Sequence, residues 1–260
     1  MMNKLSGMTI IIISMPTLAV FVVLSLLTPS TTSSQFALAQ APDSNTSSSS
    51  TPAIFPPDSQ PYALTYGEWT AKWWQWADSI PTANNPQLDQ TGKDCAQAQN
   101  QTGPVWFLAG TSGGSAERTC TIPAGKAILL PIVNIAYVRD AGETKEEMLA
   151  AVKGTMDKVT TLEASVDGTP LQNLSNYRIQ SPFFNSTLPK DNIVGDPEGT
   201  YLEVSDGYWV FLEPLSPGQH EIRLHGTLID PTSPTPSFET AITYHLTISN
   251  STTTTPTGAQ

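Results

Sequence analysis

The chain has 260 residues, with 12 Lys+Arg against 23 Asp+Glu and a formal net charge of −11. That balance argues against nucleic acid and anionic lipid as partners, since both require a basic footprint. There are only two cysteines and three histidines, and neither C-x-x-C nor H-x-x-x-H spacing occurs, so a zinc signature is absent.

The N-terminus carries Lys4, a nearly unbroken apolar run from Met8 to Leu27, and then the small-residue triplet Ala37-Leu38-Ala39 before Gln40. These are the parts that an export machinery and its peptidase read, so residues 1–39 are an expected export signal cleaved after Ala39. The run is about twenty residues long, close to a bilayer span, so retention would make it an anchor and the chain's only membrane contact. Either outcome places the remainder outside the cell or at its surface. Residues 40–60 are rich in Ser, Thr and Pro and read as a disordered linker, and 251–260 read as a disordered tail. Between them, 61–250 are expected to form one domain. In an exported chain Cys95 and Cys120 read as one disulfide, worth about 3–4 kcal/mol in the chain-entropy model. Sequons begin at Asn45, Asn100, Asn173, Asn185 and Asn250, marking candidate glycosylation sites on surface segments.

The domain opens on a helical pattern. Thr65 and Glu68 have capping-box spacing, and Pro81 ends the run. Trp69, Trp73 and Trp76 share one face, which reads as a buried stripe, while Trp74 points elsewhere and is the candidate for stacking on a carbohydrate or other envelope partner. Strand-like runs follow at Val105–Ala109, Arg118–Ile122 and Ala127–Asn134. A second helix is expected from Lys145, capped by Thr144 with Glu147. Strands then return at Thr161–Val166, Tyr177–Gln180, Tyr201–Val204, Gly207–Leu212, Gln219–Gly226 and Phe238–Ile248, with Asp167-Gly168 as a hairpin turn. Many short strands with two helices predict a mainly β fold: an antiparallel β-sandwich or jelly-roll-like domain with two decorating helices.

Trp73-Trp74-Gln75-Trp76, Val105-Trp106-Phe107-Leu108-Ala109-Gly110, Ser205-Asp206-Gly207-Tyr208-Trp209-Val210 and Pro214-Leu215-Ser216-Pro217-Gly218-Gln219-His220 resemble segments of a family of exported bacterial and archaeal proteins. The resemblance spans most of 61–250 and implies no activity, cofactor or catalytic residue. The Pro-Gly-Gln-His stretch is also similar to the turn before the final hairpin of many immunoglobulin-like sandwiches, which concerns architecture alone.

Gly110-Thr111-Ser112-Gly113-Gly114 satisfies the G-x-S-x-G pattern of a hydrolase nucleophile elbow. That mechanism needs a helix directly after the serine, and the chain continues into a strand-like segment, so a glycine-rich loop is expected instead. Acidic loops containing Asp89 and Asp94, and Asp191 through Glu198, gather oxygen ligands around glycine as calcium loops do, without an EF-hand register. Ordinary Asp/Gly turns produce the same pattern, so no cofactor is predicted, and calcium is the candidate these loops allow. In the last hairpin, symmetry about Ser233 sets Glu221 opposite His245 and Arg223 opposite Thr243. A divalent-metal site built from Glu221, His225 and His245 would need a slipped register. The reading is an exported or surface-tethered, non-catalytic β-sandwich protein, an envelope or ligand-binding module. The alternatives are a secreted hydrolase, with Ser112 or carboxylates on a sandwich face, and a metal-binding exported protein.

Overall fold

The computed structural model describes residues 53–230 and 236–250. The expected export signal at 1–39, Asn45 and the expected 251–260 tail lie outside the described residues. The protein is mainly β, with two α-helices, α1 (Tyr66–Asp78) and α2 (Lys145–Met156). Ten strands follow chain order: β1 (Val105–Phe107), β2 (Gly114–Pro123), β3 (Ala127–Val138), β4 (Val159–Val166) and β5 (Thr169–Pro170), then β6 (Arg178–Gln180), β7 (Phe184–Leu188), β8 (Gly199–Leu212), β9 (Gly218–Leu228) and β10 (Phe238–Ser249).

They form two five-stranded sheets. The first runs β1-β3-β8-β6, with β7 also paired to β8, and the second runs β2-β10-β9-β4-β5. Most pairs are antiparallel, but β1 lies parallel to β3 and β2 parallel to β10, so both sheets are mixed. The chain leaves β1, crosses to the second sheet as β2, and returns as β3. A detour of that kind is what a parallel pair requires.

The two sheets bury different sequence patterns. On β3, Ile128, Leu130 and Ile132 enter the core between the sheets, while Ala127 and Leu129 join a second core under α1. On β8, Val210 and Leu212 face the first core, and Trp209 and Phe211 the second. A sheet covered on both faces needs apolar residues at consecutive positions, and β3 and β8 supply them. In the second sheet Ile222, Leu224, Ile242, Tyr244, Leu246 and Ile248 point inward, while Glu221, Arg223, His225, Thr243 and His245 alternate outward.

Both helices begin with a complete capping box, Thr65 with Glu68 and Thr144 with Glu147. Trp69, Trp73 and Trp76 are buried, as the helical stripe predicts. The two runs read as separate strands at 201–204 and 207–212 form a single strand, β8. Ser205, Asp206 and Gly207, which resemble a turn in isolation, are paired throughout with β3. Gly207 is required there, since a Cβ would lie 2.6 Å from the Asn134 Cβ. Asp167 and Gly168 both have positive φ, 50° and 74°, and close the β4–β5 hairpin as Asp-Gly turns do.

The ordered unit starts before residue 61. Ile54 bridges to Leu212, the Phe55 amide donates to the Phe211 carbonyl at 2.9 Å, and the Phe55 and Phe211 rings meet edge to face. The expected 40–60 linker is therefore ordered from Ala53 onward, because two apolar side chains outweigh the surrounding polar composition. Cys95 and Cys120 are disulfide-bonded, with Cα atoms 6.1 Å apart, and tie the 85–99 segment to β2.

Candidate functional site

At the end of α1, Trp74 and Asp78 fall one turn apart on the same face. Three of the four tryptophans on this helix donate their indole N–H to a backbone carbonyl: Trp69 to Pro61 at 2.8 Å, Trp73 to Leu108 at 2.9 Å and Trp76 to Gln97 at 2.9 Å. Trp74 is half-buried, and its Nε1 has no partner in the protein. Its ring stands edge-on to Trp73, with centroids 5.0 Å apart.

Asp78 meets Glu203 from β8, and both are almost fully buried, at 3% and 0% exposure. Burial pushes the Asp78 carboxyl up to about 7. Burial, reinforced by the Asp78 charge, pushes Glu203 to about 9. Ser186 lies beside the two carboxyls and lowers both values, which only partly offsets the burial. Neither Glu203 oxygen makes a hydrogen bond of ordinary geometry. Among the described residues, no salt bridge reaches Asp78 or Glu203. The other buried carboxylates are supplied differently. Asp206 is paired with Arg178 at 2.7 Å, and Asp89 accepts from the amides of Thr91 and Asp94.

The carboxyl pair borders a cavity of about 110 Å³ beside β3, where β1 has already ended. Asn134, Ala136 and Val138 of β3 form its floor. Thr155 and Met156 from the end of α2, Ile193 and Val194, and the Thr111–Ser112 crossing complete the wall together with Gln87. Ten buried side-chain polar atoms among the described residues lack a protein partner. Five of them belong to residues lining this cavity: Trp74 Nε1, Gln87 Nε2, Asn134 Nδ2 and both Glu203 oxygens. Each such atom costs about 1–3 kcal/mol unless something binds it.

Arg118 of β2 fixes the rim. It is 1% exposed, and its guanidinium donates to the carbonyls of Asp89 (2.7 Å), Ala109 (2.8 Å) and Gly110 (3.1 Å) and to the Tyr244 hydroxyl (2.6 Å). A buried cation caged by carbonyl dipoles thus pins together the segments that carry Gln87 and Thr111.

The residues singled out from sequence divide between two faces. Trp74 and Ser112 both line the cavity. Ser112 is followed by Gly113 and then by β2, with no helix after it, so the elbow geometry is absent. Glu221, His225 and His245 lie on the outer face of the second sheet. Glu221 is opposite His245 and Arg223 opposite Thr243, while His225 is opposite Ala241. His225 is therefore four residues from the His245 position, about 13 Å along the strand, too far to share an ion. The three-residue metal site is thereby corrected. Instead, His225 bridges Glu163 at 3.3 Å and Glu239 at 3.0 Å, and His245 contacts Glu117 at 2.8 Å. The Glu239 carboxylate is the main cause of a raised His225 pKa. Of these, His225, Glu163 and Glu117 border a shallow groove of about 810 Å³.

Asp89 spends its oxygens on its own loop, and Asp94 pairs with Lys93 at 3.3 Å. In the other acidic loop Asn192 bonds the carbonyls of Pro189 and Asp196. Among the described residues no group of three His, Cys, Asp or Glu is placed to hold a metal ion. His220 sits between Asp167 (2.7 Å) and Ser216, which resembles a triad in outline. Its Nε2 lies 2.8 Å from the Ser216 carbonyl and 3.4 Å from the hydroxyl, an arrangement that staples the loop and leaves no base for the serine.

Sequence reasoning missed Asp78, Glu203, Asn134 and Gln87. The one available signal was the i, i+4 relation of Trp74 and Asp78, with an acidic residue in the otherwise apolar run of β8.

No family model matches the chain, and no curated protein matches it. Among solved structures, the cysteine protease inhibitor EhICP2 from Entamoeba histolytica is similar over 55% of this chain and 93% of its own, at 13% identity and a TM-score of 0.21. Amebosin is similar over 56% of this chain and 99% of its own, at 12% identity and a TM-score of 0.20. Likeness at that level carries no argument about this protein.

Proposed function

We propose that this is an exported or surface-tethered ligand-binding protein, and that the cavity between α1, β3 and the end of α2 is its binding site. The observation that carries the reading is the convergence of Trp74, Gln87, Asn134 and Glu203, each with a buried unpartnered atom, on one cavity. A fold that needed only stability would fill such a space with apolar side chains or pair the polar ones. Small-molecule sites have this composition: apolar walls with a few converging polar groups. A buried disulfide is compatible with an extracellular location, and the described sequon residues Asn100, Asn173, Asn185 and Asn250 are all exposed.

Ligand-observed saturation-transfer NMR tests the site with a mixed set of neutral, cationic and anionic small metabolites. The intact protein should give hits that disappear in Ala136→Leu, whose larger side chain fills the cavity floor. Hits that survive Ala136→Leu, or no hits at all, would sink the reading.

A further inference from the structure

We propose that Asp78, Glu203 and Ser186 form a binding site for one hard divalent cation, calcium or magnesium, at the seam between α1 and the first sheet. This goes beyond the cavity reading and stands without it, because the three side chains hold the ion themselves, whether or not a small molecule enters the space beside them.

Three separate elements bring the oxygens together. Asp78 ends α1, Glu203 lies on β8, and Ser186 lies on β7 opposite Tyr201 of β8. Positions 201 and 203 share the face of β8 that also carries Trp209 and Phe211, which is the face α1 covers. Ser186 Oγ lies beside both carboxyls, yet it makes no hydrogen bond of ordinary geometry, and the residue is 1% exposed. A buried hydroxyl of that kind, on a different strand from either acid, points to something held between all three.

Two buried carboxyls with no protein cation beside them require a positive partner or protons. A proton shared between the acids engages one Glu203 oxygen and leaves the other unmet. A divalent ion engages both, since carboxylates ligate through one oxygen or two, and its charge balances the pair. Donor chemistry then selects the ion. Carboxylate and hydroxyl are hard ligands, and no imidazole or thiolate lines the adjoining cavity, so calcium or magnesium fits and zinc or copper does not. Only two of the ligands are acids, and neutral oxygens supply the rest of the shell. The cavity of about 110 Å³ borders both acids and has room for the few waters that complete it. Metal–oxygen bonds of about 2.0–2.6 Å are shorter than any contact with water, so a dehydrated ion meets oxygens that a water molecule cannot touch. None of the three ligands is a side-chain amide, so the orientation of Gln87 and Asn134 does not enter.

Calorimetry on the intact, chelator-stripped protein, titrated separately with calcium chloride and magnesium chloride at pH 6, 7 and 8, tests this. We expect one saturable site for at least one ion, weakened at least about tenfold in Glu203→Gln and in Asp78→Asn. Glu163→Gln, on the outer face of the second sheet, should bind as the wild type does. The pair holds protons at pH 7, so binding should release about one to two per ion, read from the heats in two buffers of different ionisation enthalpy. Affinity should therefore rise from pH 6 to pH 8. An ion caught by ordinary surface carboxylates releases no protons, because such groups are already ionised at pH 7. The proton count is read on the wild type, so it decides the matter even where a variant fails to fold. No site for either ion at pH 8, binding without proton release, or binding indifferent to both acid variants would each overturn the cation site. Saturation-transfer hits lost in Ala136→Leu, together with no metal binding, would leave the cavity reading intact and sink this one.

Discussion

The face of the first sheet under α1 and the outer face of the second sheet both concentrate ionisable and polar groups, and they treat them in opposite ways. On the second sheet, Glu163, Glu239, Glu117 and Glu221 all have histidine or arginine neighbours, and all are wetted. Under α1, Asp78 and Glu203 are buried together with no cation. The first arrangement is what cross-strand pairing produces on any solvated sheet. The second carries a free-energy cost that packing alone does not explain, so the poorly satisfied region is where a ligand site is sought.

The largest effects should come from the residues that hold the costly region in place. Trp73 is fully buried, donates to the Leu108 carbonyl, and meets the rings of Trp76 and Trp209 at 5.8 and 5.3 Å. Trp73→Ala should lower stability by about 3–5 kcal/mol in a urea titration. Arg118→Met should cost about as much, because it leaves the Asp89, Ala109 and Gly110 carbonyls without their donor. If either variant proves neutral, the region is looser than its packing implies, and the contrast with the second sheet fails.

The carboxyl pair sharpens the comparison through pH. Unfolded, both groups ionise near 4, whereas folded they hold their protons until about 7 and 9. Between those limits the native state binds more protons than the unfolded one, so stability falls as pH rises. Each group contributes a slope of about 1.4 kcal/mol per pH unit while it remains protonated only when folded. Urea titrations from pH 5 to 9 should show this decline, and Glu203→Gln should flatten it markedly. A wild-type profile as flat as that of Glu203→Gln would mean that the pair is ionised and solvated.

Much of the fold was legible because its signals are local. Thr65 with Glu68 and Thr144 with Glu147 announce both helices, and the alternation in 219–226 and 238–248 fixes the faces of the hairpin, whose register follows once the connection is taken as symmetric about Ser233. The parallel pairings were not legible, since nothing near β2 refers to β10, more than a hundred residues later. Continuous apolar runs conceal which face each residue takes, and Ser205-Asp206-Gly207 mimics a turn until its partner strand is known. The site was hidden for a related reason. Asp78 reads as an ordinary acid at a helix end and Glu203 as a solvent-facing strand residue, and only the docking of α1 against β8 and its neighbours makes them a buried pair.

The smallest expected effect lies on the second sheet, at the Glu221–His245 position. His245 Nδ1 is 3.8 Å from Glu221 and its Nε2 is 2.8 Å from Glu117, with the histidine side chain 42% exposed. Glu221 is drawn to Arg223 first, at 2.7 Å, which holds its carboxyl below the usual range. A shared and wetted pair of this kind contributes little, so His245→Ala should cost only about 0.2–1 kcal/mol, and less at high salt. His225→Ala should cost a similar amount, with a pH signature. Its folded pKa is raised by Glu239, so the stabilisation is present below about 6.5 and is lost as pH climbs through the raised value. Zinc titrated by calorimetry should reveal no site that depends on both histidines, because the register keeps them four residues apart. A zinc site lost in each single variant would require the hairpin to repair in solution, and would move the functional centre from the cavity under α1 to this face.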